Sequence, residues 1–120
     1  MEKEIHEQPR VISLALEYYF HQKTGKVTLP DNLNLNFNDF DQISLVACGT
    51  AFYACHVAKY WFEEIARIPV EIDIASEFRY REPPIKRNTL AIFVSQSGET
   101  ADTLAALRYC SGKAKKILSI

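Results

Sequence analysis

The sequence has only three cysteines, and none belongs to a CxxC pair. Cys48, Cys55 and Cys110 are odd in number, which argues against a disulfide framework, and their spacing does not suit a structural zinc site. They read as reduced, mostly buried thiols. Positive charge is not in excess either: 14 Lys plus Arg stand against 15 Asp plus Glu, a formal net charge of -1. No summed field exists to hold a polyanion, so nucleic acid is not an expected partner. The longest apolar run, Leu90 to Ser95, is far short of the roughly 20 residues a bilayer-spanning helix needs. The first twenty residues carry Glu2, Lys3, Glu4, Glu7, Arg10 and Glu17, so no secretory signal can be drawn there. These absences predict a cytoplasmic protein with no membrane partner. Two phosphate motifs are also missing, GK[ST] of the triphosphate-binding loop and GxGxxG of dinucleotide folds.

What is present is enough for a packed core. The 120 residues have room for one domain or part of one, with 48% hydrophobic and 24% charged residues. From Pro9 to about Lys23 the rows Val11/Ala15/Tyr18 and Ile12/Leu16/Tyr19 follow helical spacing. A lead-in helix is therefore expected, with Pro9 in its first turn and Gly25 at its end. Leu29 to Asp41, rich in Asn and Asp, has turn chemistry and reads as a linker. Residues 1–38 form the lead-in and linker on this reading, and 39–120 form the domain proper.

Short apolar runs then alternate with helical stretches, the pattern of βα units on a parallel sheet. Ile43 to Cys48 reads as a strand, followed by a helix over Ala51 to Ala66 with Ala54, Ala58, Trp61 and Ile65 on its inner face. Val70 to Ile74 alternates apolar and acidic residues, so it buries one face and belongs at a sheet edge. Leu90 to Val94 is apolar throughout, as a central parallel strand should be. A helix from Thr100 to Cys110 follows, with Leu104, Leu107, Ala101 and Ala105 inward and Gly112 as C-cap, and Lys116 to Ile120 begins another strand. The expected class is α/β, a parallel sheet with helices on both faces, cut off at its C-terminus because nothing covers the last strand.

An edge position for the second strand places the first beside the third, with the winding reversed between them. Ligands of open α/β sheets sit at such a junction, outside the carboxyl ends of the strands. Those ends carry Cys48-Gly49-Thr50 and Ser95-Gln96-Ser97-Gly98-Glu99-Thr100. Each passes from strand to helix and so presents free N–H groups and a positive helix end. Gly49 and Gly98 permit tight turning, and the hydroxyls suit a monophosphate. A competing reading makes Thr100 an ordinary N-cap and Glu99 a dipole partner. Convergence of Thr50, Ser95, Gln96, Ser97 and Thr100 on one crevice favours a ligand.

Other reactive side chains support blander readings. Cys48 lacks the Arg six residues on that a phosphatase nucleophile needs, Ala54 standing there, and a structural thiol fits better. Cys55 and His56 are adjacent on a helix and point about 100° apart, which does not make a metal site. Arg79, Arg81, Lys86 and Arg87 surround Pro83-Pro84 and read as a solvated loop. No metal or cofactor is expected.

Ala47-Cys48-Gly49-Thr50 and Ser95 through Thr103, with the entry segment Lys3 to Pro9 and the stretch Ile74 to Arg81, resemble the glucosamine-6-phosphate synthase family, the glutamine:fructose-6-phosphate aminotransferases. The similarity covers essentially the whole chain and lies at the start of the isomerase half, in its first sugar isomerase (SIS) domain. It implies a flavodoxin-like fold in which Thr50, Ser95, Gln96, Ser97 and Thr100 bind fructose 6-phosphate or glucosamine 6-phosphate. Ala51 stands where the family often has a serine, so that contact is not carried over. The resemblance further implies a glutaminase domain and a second SIS domain in the same full-length chain, a homodimer, and catalytic glutamate, histidine and lysine beyond these residues. No turnover is expected from them alone. Two other readings stay open: a non-catalytic sugar-phosphate sensor, and a flavin carrier, whose phosphate loop would follow the first strand rather than the third.

Overall fold

Two β-strands with almost no solvent exposure organise the structure, a computed structural model that describes residues 1–30, 33 and 35–120. The chain divides into two units, 1–35 and 36–120.

In the first unit, α1 (Glu2–Tyr19) runs into a small antiparallel hairpin of β1 (Phe20–His21) and β2 (Lys26–Val27). The helix starts a full turn and more before the expected point. Pro9 therefore lies inside it; Pro costs an interior hydrogen bond, yet the flanking turns hold, beginning with the Ile5 N–H bonded to Met1 O at 3.0 Å. Gly25 does not end the helix. At φ +63° it sits in the hairpin turn, its N–H bonded to His21 O, a conformation glycine adopts without steric cost. Neither apolar row of α1 is buried within this unit. The expected linker lies partly outside the described residues, at 31, 32 and 34. Its later part holds a short 3₁₀ turn, Phe37–Asp39, started by the Asn36 side chain accepting from Asn38 N–H.

The second unit is a four-stranded parallel sheet in the order β4-β3-β5-β6. The central pair is β3 (Gln42–Ala47) and β5 (Thr89–Val94), joined in register from Gln42 opposite Thr89 to Ala47 opposite Val94. β4 (Val70–Ile74) lies at one edge, as its alternation predicts, and β6 (Lys116–Ser119) at the other. Val46, Ala91 and Phe93 point to one face, where they pack with Phe78 of α3 (Ala75–Arg81) and with Ala106 and Cys110 of α4 (Ala101–Cys110). Ile43, Leu45, Leu90 and Ile92 alternate to the other face, against which α2 (Gly49–Trp61) lies. Full burial of each such side chain stabilises the fold by roughly 1.5–3 kcal/mol.

α2 continues as a π-helical segment, Phe62–Ala66. Its inner face differs from expectation. Cys55 is the buried residue, with Phe52, Ala58 and Phe62 half-buried, while Ala54, Trp61 and Ile65 face solvent. The helix is apolar nearly all round, so periodicity alone could not choose between two apolar faces. In α4 the inward residues are Thr103, Ala106 and Cys110; Ala101 is exposed, and Leu104, Ala105 and Leu107 are half-buried.

Arg79 and Arg81 belong to a helix, not to a solvated loop. Arg79 pairs with Asp102 of α4 at 2.9 Å and Arg81 pairs with Asp73 of β4. Phe78 and Tyr109 meet edge to face at 5.9 Å, and the Tyr109 hydroxyl donates to Pro83 O at 2.9 Å. These contacts fix α3 to α4 behind the turn that leaves β5.

Candidate functional site

The order β4-β3-β5 puts the carboxyl ends of β3 and β5 side by side, and the chain leaves both for helices on opposite faces of the sheet. A crevice of about 230 Å³ opens between the two turns. Cys48, Gly49, Thr50 and Ala51 line it from the β3–α2 turn; Ser95, Gln96, Ser97 and Thr100 line it from the β5–α4 turn. All five side chains expected to meet a ligand are thus gathered around one hollow. Gly49 at φ +58° and Gly98 at φ +69° make the two reversals, in a backbone region that costs other residues about 1–2 kcal/mol.

The β5–α4 turn is held by its own hydroxyls. Ser95 Oγ accepts from Gly98 N–H at 3.1 Å and lies 3.3 Å from Thr100 Oγ1, and Ser97 Oγ accepts from Glu99 N–H at 3.1 Å. Thr100 occupies the N-cap position of α4, yet its side chain caps no helical N–H. The capping reading of Thr100 is therefore not what the structure shows. Because Ser97 uses only a lone pair, its hydroxyl proton stays available to an acceptor in the crevice.

The same two turns also hold backbone donors. Among the described residues, no group accepts from the N–H of Gly49, Thr50 or Ala51, nor from that of Gln96, Ser97 or Thr100. The first bond of α2 runs from Phe52 N–H to Cys48 O, at 3.4 Å. Unpaired N–H groups at two helix starts carry partial positive charge. An oxyanion with several acceptor oxygens is the chemical complement of this set.

One lining residue escaped the sequence reading. Thr103, one turn into α4, is 4% exposed, and its Oγ1 has no hydrogen-bond partner among the described residues. A threonine inside a helix gives no signal of its own; only its position one turn after the Ser-Gln-Ser-Gly loop could have marked it.

The remaining reactive groups stay apart from the crevice or quiet within it. Cys55 is buried, and burial raises its thiol pKa, while neighbouring His56 faces out against the Phe52 ring at 4.8 Å. No cluster of three or more His, Cys, Asp or Glu that could hold a metal ion occurs among the described residues. No helix of the described residues is long and apolar enough to cross a membrane.

Comparison with known proteins agrees with the architecture. The chain is 58% identical over all 120 residues to a glutamine–fructose-6-phosphate aminotransferase (isomerizing) of Brucella abortus, of which it covers 20%. It is 50% identical over 117 residues to the enzyme of that name from Zymomonas mobilis, covering 19% of it. The C-terminal domain of glucosamine-fructose-6-phosphate aminotransferase from Francisella tularensis superposes with a TM-score of 0.84 at 39% identity, over 98% of this chain and 33% of that one. The chain thus spans about a fifth of the length of the curated relatives it matches. The SIS domain model matches residues 36–120, the whole of the parallel-sheet unit, and the chain belongs to the SIS domain family.

Proposed function

We propose that the crevice binds the phosphate of a hexose 6-phosphate, fructose 6-phosphate or glucosamine 6-phosphate, as part of a glutamine-dependent aminotransferase that also isomerises the sugar. The observation that carries this reading is the convergence of Thr50, Ser95, Gln96, Ser97 and Thr100 on one crevice between adjacent strand ends, whose two turns also hold six N–H groups unpaired among the described residues. A phosphate dianion offers enough acceptors for these donors, and hydrogen bonds to a charged group contribute about 1.5–3 kcal/mol each. Among the described residues that line the crevice none is a lysine or arginine, so backbone dipoles and hydroxyls are its means of holding charge. The names of the relatives supply the sugar.

Residues 39–120 then form the N-terminal part of the first of two SIS domains, preceded by the lead-in of residues 1–38. The complete protein carries a glutaminase domain, pairs as a homodimer and works in the cytoplasm. Its proton-transfer groups come from outside these residues, so the crevice supplies binding and orientation rather than chemistry. The exposed apolar side chains of α2 and of the π-helical segment after it, Tyr53, Val57, Tyr60, Trp61 and Ile65, support burial against further protein, since exposed apolar patches rich in aromatics mark interfaces.

The test is a titration of glucosamine 6-phosphate into the chain extended to the complete sheet, followed by the amide signals of Ser97 and Thr100. Selective shifts of these two, absent with unphosphorylated glucosamine, are expected. Unchanged spectra at millimolar sugar phosphate would reject the reading.

A further inference from the structure

The opposite end of the same sheet holds a second opening. Gln42 and Thr89 begin β3 and β5 and are direct register partners, so their side chains stand together on one face. Ser44 follows on that face, opposite Glu71 of β4. Further along, the face carries Val46, Ala91 and Phe93 and is fully apolar. At its amino end it turns polar without becoming exposed: Gln42 is 5% and Thr89 1% accessible. Gln42 Oε1 and Thr89 Oγ1 are both buried with no hydrogen-bond partner among the described residues. Two unpaired polar atoms side by side in a core are costly unless something else bonds them.

A pocket of about 30 Å³ lies over these side chains, bounded by Glu71, Asp73, Arg81 and the Pro83–Lys86 segment. It shares those walls with an outer cleft of about 830 Å³ along the free edge of β4. The inner volume exceeds the roughly 10–15 Å³ that one small polar group needs, so it admits a hydroxyl. The walls balance in charge. Arg81 is paired with Asp73, Glu71 and Lys86 oppose in sign, and Lys59 of the outer cleft is engaged by Glu63 and by Val70 O. An ionic guest finds no net field there. The entering group must serve the Gln42 carboxamide in either orientation, as donor to Oε1 or acceptor from Nε2, and must also bond the Thr89 hydroxyl. A carboxylate or phosphate oxygen has no proton to give; a hydroxyl meets both demands.

We propose that the amino end of the sheet is a binding site for an uncharged polyol, with one hydroxyl seated between Gln42 and Thr89 and the rest of the molecule in the cleft beside Glu71, Asp73 and Pro83-Pro84. The site is separate from the crevice at the carboxyl ends and does not depend on the sugar-phosphate reading.

The experiment uses the full chain and sorbitol, which carries no phosphate. Saturation-transfer NMR should show transfer to sorbitol in the wild type and in the crevice variant Ser97→Ala, and a loss of about tenfold in affinity in Thr89→Val, which removes the hydroxyl at constant shape. If Thr89→Val does not fold by circular dichroism, Gln42→Met gives the same comparison. Equal transfer in wild type and variant would overturn the proposal. So would a crystal structure with sorbitol in which the pocket holds water alone, or in which a side chain of the protein fills it.

Discussion

The hydroxyls of Ser95 and Thr100 lie 3.3 Å apart across the turn that joins β5 to α4. Ser95 Oγ also receives Gly98 N–H at 3.1 Å, so this one oxygen fixes the turn at two points. Thr100→Val removes one of the two and takes a crevice donor away with it. We expect affinity for glucosamine 6-phosphate to fall about 10–100-fold, the worth of one hydrogen bond to a charged group. Thermal stability should change by less than about 1 kcal/mol, because Gly98 N–H still holds Ser95. Calorimetric titration checks the first figure and thermal unfolding the second. Unaltered affinity would show that the Thr100 hydroxyl serves the turn alone.

Thr103 makes a different trade. Its buried Oγ1 lacks a partner while lining the crevice, an arrangement that costs stability unless a ligand or a bound water satisfies it. Thr103→Val keeps the shape and removes the unpaired atom, so the free protein should gain about 1 kcal/mol. Sugar-phosphate affinity should fall at the same time, and Thr103→Ser should restore it. Chemical denaturation and calorimetric titration on both variants check this; a loss of stability in Thr103→Val would mean that the hydroxyl has a partner in the free protein.

The sheet was the most legible part of the chain. β5 announces itself by the unbroken apolar run Leu90 to Val94, β3 by a mostly apolar run, and the acidic alternation of β4 marks an edge. From those characters the strand order follows, and with it the crevice. Elements too short to repeat their period several times were not legible. The β1–β2 hairpin has two residues a side, and α3 has seven, of which only Ala75 and Phe78 are buried. Arg79, Arg81 and the prolines behind them hide such a helix among loop residues. The inner face of α2 was misread because Ala54, Trp61 and Ile65 are as apolar as the residues that actually meet the sheet. Buried polar residues such as Thr103 look in the sequence like any threonine in a helix.

The Arg79–Asp102 pair links α3 to α4 at 2.9 Å, and the Asp102 hydrogen bond raises the pKa of Arg79. Both side chains are more than a third exposed, so solvent screens the attraction. A double-mutant cycle with Arg79→Met and Asp102→Asn should return a weak coupling, as exposed ion pairs do. It should shrink as salt is raised past the point where the Debye length falls below about 8 Å. A strong, salt-independent coupling would show that the pair is desolvated in solution.

Cys110 sits in the core beneath α4 with no exposed surface, and burial pushes its thiol pKa up to about 11, against a smaller opposing pull from Lys113. In the unfolded chain the same thiol ionises near pH 8.5. Between those values the unfolded state loses a proton that the native state keeps, so alkaline pH favours unfolding. The fold holds its full stability below about pH 8.5 and loses it progressively as pH rises toward 11, with a deficit of about 2 kcal/mol by pH 10. Other groups titrate in that range, so the measurement is a difference: urea unfolding of wild type and Cys110→Ala at a series of pH values. Cys110→Ala should begin less stable, by about 1 kcal/mol for the atom removed, and the gap should close near about pH 9 and reverse by about pH 10. Parallel curves would show that the thiol reaches solvent and ionises in the native state as freely as in the unfolded one.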